Sequence, residues 1–150
     1  MKHIALLLGL LTTAAALGAN LDYAIAPGAF EDNPGGAQLG PCHGAAVIDK
    51  AGNIYVTTDT ERGIIVFSPA GKYVRHFGPD KIHGAEIREE DGTEYIYAAR
   101  AGAHEVVKLT LDGTELWKIT GTPETGYEDP NGFNPCAVTV GPEGEIFIAD

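Results

Sequence analysis

The sequence predicts an all-β fold, a β-propeller of four-stranded antiparallel blades, and three observations carry that prediction. A segment recurs with a fixed period: His43 and His83 stand 40 residues apart, and so do Gly52 and Gly92. Each copy alternates short apolar runs with glycine turns. Composition leaves little room for helices, because 20 of the 150 residues are Gly and nine are Pro.

The chain opens with Lys2 and His3, an apolar run from Ile4 to Leu11, and small residues from Thr12 to Ala19. Residues 1–19 therefore read as an export signal, cleaved after Ala19 or after Ala16. The apolar run is short of the roughly 20 residues a bilayer span needs. An uncleaved N-terminal anchor is the alternative, and no later segment is apolar enough to cross a membrane. The mature chain is expected to be secreted, periplasmic or on the cell surface. Residues 20–40, with Pro27 and Pro34, form an irregular segment that could also supply an edge strand.

From residue 41 the repeat takes over, with blades expected over about 41–78, 82–120 and 134–150, the last incomplete. In each, a short apolar strand meets a turn whose glycine can take positive φ: Gly52, Gly92 and Gly144. A second strand rich in β-branched and aromatic residues follows. After a polar loop come a third strand (Gly63 to Ser68, Glu105 to Thr110), a turn at Gly71 or Gly113, and a fourth (Tyr73 to Phe77, Glu115 to Ile119). Between the second and third repeats lies an insertion, Thr120 to Asn134, which reads equally as a binding-face loop or a solvated spacer. About two and a half blades of a six-bladed ring are expected here, so the 150 residues read as an N-terminal piece of a longer product. Alone, such a piece would associate through its bare strand edges.

Charge narrows the function classes. Ten Lys and Arg face 21 Asp and Glu, a net charge of −11, which repels polyphosphate and argues against a nucleic-acid partner. Export would permit a disulfide between the two cysteines, but Cys42 and Cys136 fall two repeats apart. Two buried free thiols are expected instead. Arg88-Glu89-Glu90-Asp91 could suggest paired carboxylates for acid–base work, yet it falls at a hairpin tip and reads as solvated charge. Tyr55, Tyr95 and Tyr97 read as packing residues, and Trp117 as filling between blades. No nucleophile elbow, phosphate loop, paired-cysteine zinc motif or dinucleotide fingerprint appears.

These residues resemble the NHL-repeat family, most clearly from Asp49 to Asp59, from Phe67 to Gly71 and from Pro135 to Asp150. The resemblance covers residues 41–150 and implies a six-bladed propeller. Members of that family include enzymes and protein-binding platforms, so fold alone does not choose a function. Ile82-His83-Gly84-Ala85-Glu86-Ile87 also looks like the first zinc-ligand element of the peptidylglycine α-hydroxyglycine amidating lyases, propellers with a central zinc. That resemblance implies zinc in the complete protein, with His83 as a ligand. It makes Arg62 the nearest match to the lyase's catalytic arginine, although the long insertion after that arginine is missing here.

His43 shares His83's repeat position, so both are expected to face one channel as candidate metal ligands. The alternative for each is an inner-strand histidine bonded to a carbonyl or water. His76 and His104 read as surface residues. Two function classes follow. In the first, the protein is a platform holding a protein, peptide or glycan ligand at the propeller face. In the second, it is a metal-dependent lyase or hydrolase using His83, His43 and Arg62.

Overall fold

A computed structural model describes residues 39–150. The expected signal (1–19) and most of the 20–40 segment lie outside the described residues. The chain forms two four-stranded antiparallel sheets and one antiparallel pair. The first sheet holds β1 (Ala46–Ile48), β2 (Ile54–Thr57), β3 (Ile64–Phe67) and β4 (Tyr73–Phe77). The second holds β5 (Gly84–Glu90), β6 (Thr93–Arg100), β7 (Glu105–Thr110) and β8 (Glu115–Thr120). The pair is β9 (Ala137–Val140) with β10 (Ile146–Ala149). Strands follow chain order within each sheet, the meander of a propeller blade. Among the described residues there is no α-helix, only 3-10 turns, and none is long and apolar enough to cross a membrane.

Turn chemistry sets these hairpins. Gly52, Gly71, Gly92, Gly113 and Gly144 all take φ between +73° and +94°, where a Cβ would be strained. At the first turn Asp49 adds a side-chain clamp: its Oδ1 accepts Asn53 N at 2.7 Å, and its Oδ2 accepts Asn53 Nδ2 at 2.8 Å and Tyr55 Oη at 3.1 Å. Burial pushes the Asp49 carboxyl up, but the bonds from Asn53 and Tyr55 outweigh it, and its pKa lies below the ordinary aspartate value. Burial, then the bond to Asp49, pushes the Tyr55 phenol up to about 12.

A depressed folded pKa contributes stability above the unfolded value, and that stability is lost as pH falls through the folded value. The urea midpoint should therefore drop on acidification below about pH 4. Asp49→Ala should remove part of that acid sensitivity while lowering the midpoint at neutral pH.

Strands buried on both faces read as continuous apolar runs rather than alternations. In β6, Ile96 and Ala98 turn toward the first blade, into a core with Tyr55, Ile64, Val66, Val107 and Leu109. Tyr97 and Ala99 turn the other way, with Val106, Phe133, Val138 and Val140. Period-two geometry thus glues one blade to both neighbours. Trp117 lies on the outer strand β8, against the second core and edge-on to Tyr97 at 5.7 Å between centroids.

The inner edges converge: β1 touches β5, and β5 touches β9. Glycine makes that approach close. A Cβ at Gly44 would lie 2.3 Å from Ile82 O, and one at Gly84 would lie 2.6 Å from Cys136 O. The glycine after each inner histidine is therefore a close-approach residue, repeated one blade on.

Candidate functional site

Antiparallel topology sorts the loops onto two ends. The turns at Gly52, Gly92 and Gly144 lie at one end, which we call the base. The beginnings of β1, β5 and β9 lie at the other, the mouth, beside the loops that join β2 to β3 and β6 to β7. His83 and Cys136 stand directly ahead of β5 and β9 at one register, with His83 N donating to Ala99 O and Cys136 N to Ala149 O. His43 lies one residue outside that register, at the place of Ile82. All three residues are exposed.

The histidine rings lie nearly parallel, with centroids 6.3 Å apart and 20° between planes. His43 Nδ1 lies 2.8 Å from Asp59 Oδ2. Asp59 is brought there by the β2–β3 loop, whose Asp59 N donates to Pro41 O at 3.0 Å. His83 Nδ1 lies 3.1 Å from Cys136 O, on the next blade. A backbone carbonyl only accepts, and so does an ionised carboxylate, so each Nδ1 carries the hydrogen. In the neutral rings both Nε2 atoms then keep a lone pair.

Arg62 sits half-buried at the end of the same loop, with Nη2 donating to Leu39 O at 3.2 Å. It lies on the His43 side of the mouth and acts electrostatically on the Cys42 thiol. Among the described residues no three His, Cys, Asp or Glu side chains converge as a metal-binding group.

Both cysteines are free, as expected, but exposed rather than buried. A place ahead of the strand does not itself expose a residue, since Pro135 beside Cys136 is buried; the thiols lie on the open inner edge rather than on the packed blade flanks. Cys42 Sγ donates to Gly40 O at 3.2 Å, and Cys136 Sγ donates to Asn134 O at 3.4 Å. Although Cys42 is exposed, partial desolvation of its thiol, then the Asp59 carboxylate, pushes its pKa up against the opposing pull of Arg62. That holds Cys42 as a thiol at neutral pH and makes it a poor nucleophile.

The 120–134 insertion is an ordered wall beside the mouth. Two 3-10 turns, Pro123–Thr125 and Pro130–Gly132, are capped by Thr122 and Asp129. Phe133 is buried, its ring 5.3 Å from that of Tyr127, and its carbonyl accepts from His104 Nδ1 at 2.8 Å. His104, expected on the surface, is half-buried at φ 57° and anchors the insertion to the second blade. His76 is exposed, bonded to Tyr73 Oη at 2.8 Å.

A cleft of about 350 Å³ at the base is lined by Arg88, Glu90, Tyr97, Val140 and Pro142, among others. Its polar groups already serve each other. Glu90 pairs with Lys108 at 2.6 Å and accepts from Tyr97, while Arg88 donates to Val140 O and Gly141 O. In the Arg88–Asp91 run Glu89 and Asp91 are exposed, as expected, while half-buried Arg88 reaches the third blade and Glu89 pairs with Lys50 of the first. With those donors and acceptors engaged, the mouth is the better candidate site.

Known structures agree with the fold. The chain is similar to virginiamycin B lyase from Staphylococcus aureus, at 20% identity and a TM-score of 0.53 over 73% of this chain. It is also similar to a streptogramin B lyase, at 19% identity and a TM-score of 0.54 over 73% of this chain. The fold is that of a β-propeller. The chain spans about a third of the length of those two structures, 34% and 35%. No protein-family model matches the chain, and neither does any curated protein.

Proposed function

We propose that the protein is an exported NHL-type propeller that works as a binding platform, holding a protein, peptide or glycan ligand at the mouth face. One observation carries this reading: the exposed rings of His43 and His83, from adjacent blades, stack 6.3 Å apart at the mouth, beside exposed Cys136 and the 120–134 segment. The blade flanks are given over to packing, and the mouth presents the stacked histidine pair that the base lacks.

Screening the complete gene product on peptide and glycan arrays tests it. Replacing residues 121–133 with a short Gly-Ser turn should weaken the strongest array signals about tenfold or more, a change of at least ~1.4 kcal/mol. Unchanged signals would move the site off this face.

A second reading, a zinc-dependent lyase or hydrolase, has its own support in the paired rings with Nε2 lone pairs. The two similar propellers bear lyase names, so this architecture can carry such chemistry, though fold does not transfer activity. His83 and His43 suit zinc in kind, and Arg62 would serve as an anion-binding cation beside them. A catalytic zinc takes three protein ligands, and the stacked pair His43 and His83 supplies two imidazoles, with no group of three ligands among the described residues. When bound, the metal would polarise a hydroxyl or carbonyl as a Lewis acid. Stoichiometric zinc in the purified complete protein, lost in His83→Ala, would favour this reading over the platform.

A further inference from the structure

We propose that Asp59 is a positioning residue for the mouth: it fixes the tautomer of His43, so that this ring, like its neighbour His83, offers a bare Nε2 at the inner edge. The inference deepens the second reading and rests on it for its chemical meaning, since a neutral imidazole binds a transition metal through a nitrogen lone pair.

Three facts lead to Asp59. Its carboxylate meets His43 Nδ1 at 2.8 Å. Its backbone N–H, bonded to Pro41 O, ties the β2–β3 loop to the segment that carries His43, so the contact does not depend on side-chain chance. The neighbouring ring reaches the same state by another route, with Cys136 O taking the place of the carboxylate at His83 Nδ1. Two adjacent blades thus use different acceptors to leave the same nitrogen bare. A carboxylate or carbonyl behind a ligating histidine is how metal sites commonly orient the ring and raise its basicity.

Stability does not account for the Asp59–His43 pair. The His43 side chain is 69% exposed and that of Asp59 32%, and an ion pair so placed contributes little to folding. Asp59→Ala should therefore fold normally.

The test is nitrogen-15 NMR of the imidazoles in the complete protein at mildly alkaline pH, where a free imidazole is neutral. His43 should show the Nδ1–H pattern in the wild type and shift toward Nε2–H, the form a free imidazole prefers in water, in Asp59→Ala. Asp59→Asn, whose Oδ1 still accepts, should restore Nδ1–H, a rescue a merely structural role would not give. A wild-type His43 in the Nε2–H form, or one indifferent to Asp59→Ala, overturns the proposal.

A separate Zn²⁺ titration keeps the two ideas apart. Binding weakened about 10- to 100-fold in Asp59→Ala supports both. The expected tautomers without Zn²⁺ binding to the wild type support the role of Asp59 and overturn the metal reading.

Discussion

Gly84→Ala should cost about 3 kcal/mol of stability, read as a lower urea midpoint with little change in slope. The added Cβ would lie 2.6 Å from Cys136 O and 2.9 Å from Ala137 Cα, both backbone atoms that cannot rotate away. Gly84 itself needs no special φ, so the cost is steric rather than conformational. The inner strands β5 and β9 would have to separate. The substitution carries a second consequence, because the atom it strikes, Cys136 O, is also the acceptor for His83 Nδ1. Stability and the orientation of the mouth ring should fail together. A Gly84→Ala variant as stable as the wild type would mean that the blades do not approach as closely as described.

Ile96→Ala should cost a similar amount, about 3 kcal/mol, by removing three buried carbons from the core between the first two blades. Ile96 is 1% exposed there, among Tyr55, Val66, Ala98, Val107 and Leu109, which leave little freedom to collapse into the gap. Ile48 is the natural control. At 63% exposed, its truncation should change stability by no more than about 0.5 kcal/mol. Equal effects at the two positions would contradict the blade-on-blade stacking.

Much of the fold was readable in the sequence because propeller blades are built from local rules. Turn glycines such as Gly52 and Gly113 mark their own hairpins through positive φ, and a run such as Tyr95 to Ala99 advertises burial on two faces. The 40-residue period put His43 and His83 on neighbouring blades, and their rings do stack, but the longer first turn at Gly52 leaves His43 one residue out of step with His83 in the strand pairing.

Asp59 was a different matter. It lies 16 positions beyond His43 and reaches it only because the β2–β3 loop closes back on residue 41. No local pattern announces such a contact. Cys42 and Cys136 were expected to be buried free thiols just before or within the first strand of a repeat, but those inner strands are themselves partly exposed. Both thiols are exposed at the inner edge, where the side chain's direction, which no local pattern fixes, decides burial. The insertion gave an even choice between loop and spacer. The contact that settled its order, His104 Nδ1 to Phe133 O, joins residues far apart in the chain and depends on a histidine at positive φ.

The central claim is that function sits at the mouth and not at the base. Binding of the strongest peptide or glycan array ligands to the complete protein tests it most directly, compared between a His43→Ala/His83→Ala variant at the mouth and Arg88→Ala at the base. At least about tenfold weaker binding in the mouth variant, with the base variant near wild type, is the expected result. Binding that survives loss of both histidines and falls with Arg88→Ala would contradict it and move the site to the opposite end of the blades.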